Sequence, residues 1–128
     1  MASTLPNVIA VGIGGAIGAI VRFYVGIIIN KNFPYDIPLA TLSVNIIGSL
    51  LIGMFVAIFL YFTPSEHIRL FLITGFLGAL TTYSTFAIET FVLFNSSIML
   101  GIINIIFNLI GTILAAAFGY KLILMILK

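Results

Sequence analysis

The sequence predicts an all-α membrane protein with four transmembrane helices, of which the third is broken. Three observations carry this prediction. First, 62% of the 128 residues are hydrophobic and only 6% are charged, whereas a soluble domain of this size leaves much of its surface in water. Second, the length suffices for about four spans of roughly 20 residues each. Third, glycines and threonines interrupt the third apolar run.

The apolar runs define the spans in order, and the short connections make neighbouring spans antiparallel. Thr63, Pro64 and Glu66 have the spacing of a helix start, with a Thr cap, Pro at the first helical position and Glu three residues after the cap. The first run lacks a preceding basic stretch and an A-x-A cleavage site, which predicts a retained span and not a signal peptide. We predict one domain, 1–128, with spans at about 8–29, 39–62, 67–94 and 98–127, a loop at 30–38 and a turn at 95–97.

The few charges leave the orientation in the membrane open. With four spans, the N-terminus, the second loop and the C-terminus share one side, which holds Arg69, Lys121 and Lys128, while Lys31 and the nearby Arg22 belong to the other. An asymmetry of Lys and Arg normally sets orientation. Three cations against two are therefore compatible with insertion in both directions, and equally with a count too small to be informative.

Composition also excludes several functions. The chain has no cysteine and a net charge of only +2, so neither thiol chemistry nor a nucleic-acid partner is predicted. No nucleophile–base pair or metal-ligand cluster appears in the sequence, and we predict that the protein is not an enzyme. Small residues four apart predict close helix packing without indicating a function; these are Gly14 and Gly18 in span 1 and Gly111, Ala115 and Gly119 in span 4.

Two ladders of polar residues lie inside spans. Side chains four residues apart share one helix face, and polar groups in hydrocarbon usually face protein or a water-filled cavity. The span 2 ladder is compatible with interhelical hydrogen bonding or with a pathway, whereas the two asparagines of the span 4 ladder favour a pathway. The ladders are Thr41, Asn45 and Ser49 in span 2, and Asn104, Asn108 and Thr112 in span 4.

Two of the charged residues within the spans, Arg22 and Glu89, stand out. Arg22, about two turns from the predicted end of span 1, either extends to the interface or attracts an anion into a vestibule. Glu89 is compatible with a proton-coupled site, with a partner for Arg22 or with an interfacial position.

The stretch GFLGALTTYSTFAIET, 75–90, predicts the break in span 3. Gly75 and Gly78 each lower helix propensity by about 1 kcal/mol, and the hydroxyls at 81, 82, 84 and 85 offer competing local hydrogen bonds. Irregular backbone at membrane depth is tolerated only where it is buried in protein or lines a cavity. A break frees carbonyls for a cation and N–H groups for an anion. The alternative is a continuous helix with a packing face of small residues.

Together these segments resemble the Fluc family of fluoride channels. The matching stretches are GAIVRFY at 18–24, VNIIG at 44–48 and the long, unusual TGFLGALTTYSTF at 74–86, and the resemblance covers essentially the whole chain. It implies a homodimer of two oppositely oriented copies, multi-pass in the bacterial plasma (inner) membrane and embedded in lipid. It implies passive export of toxic cytoplasmic fluoride through two pores, and a structural sodium ion at the dimer centre held by the backbone carbonyls of Gly78 and Thr81.

The resemblance also assigns the site residues. Paired phenylalanines line the family's pores; here Tyr83 stands at the first position, keeping the electropositive ring edge and adding a hydroxyl donor, and Phe86 stands at the second. Arg22 corresponds to a vestibule arginine and Glu89 to an acid at a possible pore end. The implied fluoride pore comprises Asn45, Tyr83, Ser84, Thr85, Phe86, Asn104, Asn108 and Thr112, although hydroxyls are more usual in the span 4 track than two asparagines.

Two other functions remain as alternatives. A proton-coupled small multidrug transporter is also short, four-span and often of dual topology, but it carries its glutamate in the first span, where this chain has Arg22, and the acid here is Glu89 in span 3. A non-transporting assembly subunit accounts for the small-residue packing but not for the two polar ladders.

Overall fold

The structure, a computed structural model, describes residues 4–128, so residues 1–3 of the predicted domain lie outside the described residues. Four helical segments are long and apolar enough to cross a membrane, and the third is interrupted. The predicted fold class of four spans with a broken third is therefore confirmed. The elements are α1 Thr4–Asn32, α2 Leu39–Tyr61, α3 Glu66–Arg69, a π-helix Leu70–Leu77, α4 Gly78–Leu80, α5 Tyr83–Ser96 and α6 Ile98–Leu127, and the segment from α3 to α5 forms the third span, Glu66–Ser96.

The first span is longer at both ends than the predicted 8–29. Its C-terminal turn continues because the Asn32 side chain donates to the Ile28 carbonyl at 2.7 Å and the Phe33 N–H bonds the Ile29 carbonyl at 2.8 Å. Arg22 consequently lies about 15 Å along the axis from the helix end at 1.5 Å per residue, deeper than the predicted two turns.

Two predicted boundaries of the third span were wrong by a few residues. The helix begins at Glu66 with Ser65 as its cap, because the Ser65 carbonyl accepts the first helical bond from the Arg69 N–H at 3.2 Å; neither Thr63 nor Pro64 is in the predicted cap or first-turn position. At the other end α5 continues through Ser96, and Ser97 alone separates it from α6. The extended Ser97 closes α5 through its N–H and caps α6 through its hydroxyl, which accepts the Leu100 N–H at 3.3 Å.

The break itself falls at Thr81 and Thr82, which are both extended (φ −82°, ψ 155° and φ −148°, ψ 120°). The glycines do not interrupt the helix, since Gly75 lies in the π-helix and Gly78 opens α4. The Thr82 hydroxyl accepts the Thr85 N–H at 3.3 Å and so caps the new helix α5. Local hydroxyl chemistry, as the sequence predicts, contributes to the restart of the helix.

Glycines allow close backbone contact at two helix interfaces, here called glycine seams. One joins α1 to the π-helix at Gly14, Gly18 and Gly75, and the other joins α2 to α6 at Gly53 and Gly119. A β-carbon added at Gly14 or Gly18 of α1 would collide with backbone carbonyls of the π-helix, and one added at Gly53 of α2 or Gly119 of α6 would collide with backbone of the facing helix. Gly111 faces the Ile46 side chain instead. The predicted close packing at the small residues is confirmed for span 1, which packs on the third span through Gly14 and Gly18, and for span 4, which packs on α2 through Gly119. A buried cluster of Val44, Leu77 and Leu80 lies between α2 and the third span.

Candidate functional site

The Asn45 side chain holds the broken backbone of the third span. Its Oδ1 accepts the Thr82 N–H at 2.8 Å and its Nδ2 donates to the Thr82 carbonyl at 3.1 Å. The extended Thr82 backbone thus pairs with an amide much as it would pair with a neighbouring β-strand. Both residues are buried, where an unpaired backbone group would cost about 1–3 kcal/mol. Asn45 therefore compensates for the hydrogen bonds that the break removes.

The break leaves two backbone carbonyls without the N–H groups that would bond them in a continuous helix. In a continuous helix the Thr82 N–H would bond the Gly78 carbonyl and the Thr85 N–H would bond the Thr81 carbonyl. Here the first N–H donates to Asn45 and the second to the Thr82 hydroxyl. The carbonyls of Gly78 and Thr81, which the resemblance assigns to sodium, thus lose their helical partners for identifiable reasons. Freed carbonyls of a broken helix are suitable ligands for a small cation at membrane depth.

A chain of buried amides extends from Asn45 into α6 and α5. Asn45 Nδ2 donates to Asn108 Oδ1 at 3.1 Å, and Asn108 Nδ2 donates to Asn104 Oδ1 at 3.2 Å and to the Asn104 carbonyl at 3.1 Å. Asn104 Nδ2 then donates to the Thr90 hydroxyl at 2.9 Å, and that hydroxyl donates to the Phe86 carbonyl at 2.7 Å. Asn104 is 0% exposed. The chain connects three helices through side chains that have few other partners available.

A cleft of about 290 Å³ opens on one side of the break. The rings of Tyr83 and Phe86 meet edge to face there, with centroids 5.4 Å apart, and Phe86 is buried whereas Tyr83 is 73% exposed. The structure brings most of the predicted pore and cation residues together at this cleft. Its lining includes Asn45, Ser49, Gly78, Thr81, Thr82, Tyr83, Phe86, Asn108 and Thr112.

A second cavity, of about 300 Å³, lies beside Arg22. Arg22, Thr85 and Glu89 line it together with Thr41 and Thr82. The Thr41 hydroxyl donates to Glu89 Oε1 at 2.8 Å, while Glu89 Oε2 is buried without a hydrogen-bond partner among the described residues. Thr82 lines both cavities, so the break separates a cleft rich in amides and aromatic rings from a cavity that carries a cation and an acid.

Three of the predicted pore residues lie apart from the cleft. Ser84 is exposed and lines neither cavity, Thr85 lines the cavity beside Arg22, and Asn104 is 0% exposed and bonds Thr90 of α5. Sequence reasoning missed Thr90, whose hydroxyl accepts a hydrogen bond from the Asn104 side chain. A signal was present, because Thr82, Phe86 and Thr90 recur every four residues and so share one face of α5 and its cap.

These observations define a class: a multi-pass helical membrane protein whose third span is interrupted and supported by a polar side chain of the second. Comparison with known proteins gives the family. Residues 9–120 match the family described as CrcB-like protein, Camphor Resistance (CrcB), and the chain belongs to this family.

Three relatives illustrate the similarity, each named fluoride-specific ion channel FluC. The Sulfurimonas denitrificans protein is 50% identical over 124 residues, which cover 95% of this chain and 96% of the relative. The Nautilia profundicola protein is 46% identical over 124 residues, covering 95% and 97%. The Methanocaldococcus jannaschii protein is 38% identical over 123 residues, covering 95% and 98%.

Proposed function

We propose that this protein is a fluoride-selective channel that lets cytoplasmic fluoride leave the cell by passive electrodiffusion. Relatives named as fluoride-specific channels support it over nearly the whole chain. The observation that carries the proposal is the break at Thr81–Thr82, stabilised by Asn45 and opening onto a cleft of amides, hydroxyls and ring edges. Such groups offer an anion positive ends of dipoles without a fixed charge that would retain it.

Fluoride is small and tightly hydrated, so its path has to replace water with closely placed donors while still releasing the ion. We assign the pore to the cleft side of the break, with Asn45, Asn108 and Thr112 as its polar wall and Tyr83 and Phe86 as its aromatic wall. Arg22 acts in the neighbouring cavity as a cation that raises the local anion concentration, and Glu89 lies at the pore end. Thr85, at the start of α5, lines the cavity beside Arg22 and would act there with it, whereas the exposed Ser84 is kept only as a residue that the resemblance assigns to the pore.

We further propose that two copies assemble in opposite orientations, with a sodium ion between them. The carbonyls of Gly78 and Thr81 would hold the ion, because the Thr82 and Thr85 N–H groups that would pair with them are bonded elsewhere. A bound cation would supply positive charge that offsets the carbonyl dipoles. The exposed Tyr83 ring and the open cleft lie on a face of the protomer that a second copy would cover.

The alternative of a proton-coupled multidrug transporter is not favoured, because the cleft lacks the acid that such a transporter needs. A coupled transporter needs a titrating acid in its substrate site, and Glu89 lines the Arg22 cavity but not the cleft. Fluoride flux without a proton gradient would exclude obligatory proton coupling.

The test is fluoride efflux from liposomes containing the purified protein, read with a fluoride electrode, with chloride efflux measured in parallel. We expect fast fluoride efflux, negligible chloride efflux and no requirement for a pH gradient. Protein-free liposomes provide the control for leak. A correctly folded dimer that passes no fluoride, or passes chloride equally well, would refute the proposed function.

A further inference from the structure

The amide chain has a direction that the backbone imposes at both ends. At the α5 end, the Phe86 carbonyl can only accept, so the Thr90 hydroxyl has to give its proton there and can then only accept from Asn104. At the break, the Thr82 N–H can only donate, so Asn45 has to present its oxygen to it. The two ends therefore require compatible orientations of the amides between them.

The requirement passes from one amide to the next. Because Thr90 accepts, Asn104 turns its nitrogen toward α5 and its oxygen toward Asn108. Asn108 accordingly presents its nitrogen to the side-chain oxygen of Asn104, and also to the Asn104 backbone carbonyl, and its oxygen to Asn45. Each link leaves the next amide one favourable orientation, since a reversed amide would oppose two donors or two acceptors in a buried site.

Thr90 and Asn104 lie apart from the cleft, whereas Asn45 and Asn108 line it. Thr90 is 7% exposed and Asn104 is 0% exposed, so neither presents a free surface to an ion. Any influence that they have on the cleft passes through the two amides that line it and through the Thr82 backbone.

We propose that Thr90 is a positioning residue: through Asn104 and Asn108 it reinforces the orientation in which Asn45 holds the Thr82 backbone, an orientation that the Thr82 N–H and carbonyl also favour. The role in conduction rests on the proposed channel function, while the effect on the break does not. Without the Thr90 hydroxyl, the Asn104 amide loses the acceptor that orients it, and reversal of the whole chain becomes less costly. The Thr82 N–H then bonds its acceptor for a smaller fraction of the time.

The first measurement is hydrogen exchange of the Thr82 amide, followed by NMR of the full-length protein in detergent micelles. Thr90→Val removes the hydroxyl with little change of shape, and we expect exchange to accelerate about fivefold, which is the factor that corresponds to one net hydrogen bond of about 1 kcal/mol. Thr90→Ser keeps the hydroxyl and should exchange like the unsubstituted protein. Ser96→Ala is the matched control, because Ser96 in the same helix also bonds a backbone carbonyl, that of Leu93 at 3.0 Å, but is exposed.

The second measurement is fluoride efflux from liposomes at equal amounts of folded protein. We expect Thr90→Val to reduce efflux several-fold, Thr90→Ser to restore it and Ser96→Ala to leave it unchanged. Asn104→Leu should have a similar effect, and the double variant should be no worse than the single ones, because both changes interrupt one chain. If Thr90→Val does not fold, Thr90→Ala compared with Thr90→Ser isolates the hydroxyl in the same way.

Unchanged Thr82 exchange in folded Thr90→Val or Thr90→Ala, or additive effects of the Thr90 and Asn104 substitutions, would overturn the positioning role. A different pattern separates the two proposals. If Thr82 exchange accelerates but the unsubstituted protein passes no fluoride, the positioning of the break stands and the channel function fails.

Discussion

The two halves of the third span are held in place by different kinds of contact. Its first half, the π-helix, packs on α1 through Gly14, Gly18 and Gly75, where backbone meets backbone. Its second half, from the break onward, meets α2 through Asn45 and α6 through Asn104, which hydrogen-bond the Thr82 backbone and the Thr90 hydroxyl. Lipid tails are as apolar as the helices, so close packing and hydrogen bonds, and not the hydrophobic effect, hold membrane helices together. This protein uses each of the two mechanisms on a different side.

The difference has a functional consequence. The glycine contacts contain no polar side chains, and their backbone groups are already bonded within the helices, so these contacts fix the position of the first half and offer an ion nothing to bind. The asparagine side has polar groups at membrane depth, which are tolerated because each is paired. We infer that the seam supports the structure and that the amide side carries the chemistry. Substitutions on the two sides should therefore affect stability and flux differently.

The largest effect is expected in the seam. Gly18→Ala would place a β-carbon against the Phe76 carbonyl, a backbone atom that can yield only if the helices separate, and we expect a loss of about 3 kcal/mol or more in stability. The measurement is the fraction of folded protein that survives heating in detergent. Gly12→Ala is the matched control, since an added β-carbon there meets no atom within 4 Å. Equal heat resistance of the two variants would contradict the proposed seam.

A smaller loss of stability, with a larger loss of flux, is expected at Asn45. Asn45→Leu leaves both backbone groups of Thr82 and the Asn108 oxygen without their partner. We expect a protein that stays folded in the cold but loses about 2 kcal/mol of stability, less than three fully buried unpaired groups would cost because these groups border a cleft that water can enter. We also expect fluoride efflux at least tenfold lower. Ile47→Leu, an exposed apolar change on the same helix, should alter neither. Normal flux from Asn45→Leu would remove Asn45 from the pathway.

The contrast between the two sides also separates what sequence can predict from what it cannot. The spans follow from the lengths of the apolar runs. The inward faces of α2 and α6 follow from polar residues spaced four apart, Thr41 and Asn45 in α2 and Asn104 and Asn108 in α6. The exact residue of the break does not follow, because it depends on Asn45, which is 37 positions from Thr82 in the chain. No local pattern encodes a pairing at that distance.

The π-helix was not predictable for a similar reason. Its residues, LFLITGFL, are ordinary for an apolar helix, and the wider turn coincides with a segment where Gly75 faces the glycines of α1. Local sequence also did not identify Ser65 as the start of the third span, because Thr63 has an equally good capping motif. The antiparallel dimer and its sodium ion rest on resemblance and stay predictions until they are measured.

A paired substitution tests the contact between α2 and the break, because Gly48 packs directly on Thr81. A β-carbon at Gly48 would collide with the Thr81 methyl group, a side-chain atom and not backbone. We expect Gly48→Ala to cost about 1–2 kcal/mol and Thr81→Ser, which deletes that methyl, to restore most of the loss in the double variant. Thermal unfolding of the three variants measures the coupling. Additive losses would mean that the two residues do not press on each other.

The smallest effect is expected from Thr81→Ala alone. The Thr81 hydroxyl donates to the Leu77 carbonyl at 2.9 Å, a bond within its own helix whose loss should cost less than about 1 kcal/mol, and the backbone carbonyl proposed to bind sodium is retained. Efflux in sodium and in a large organic cation should therefore differ as much for Thr81→Ala as for the unsubstituted protein. If folded Thr81→Ala protein no longer responds to sodium, the side chain and not the carbonyl binds the cation. Retention of the response would show that the cation site needs the Thr81 backbone and not its side chain, in contrast to Asn45, whose side chain the break requires.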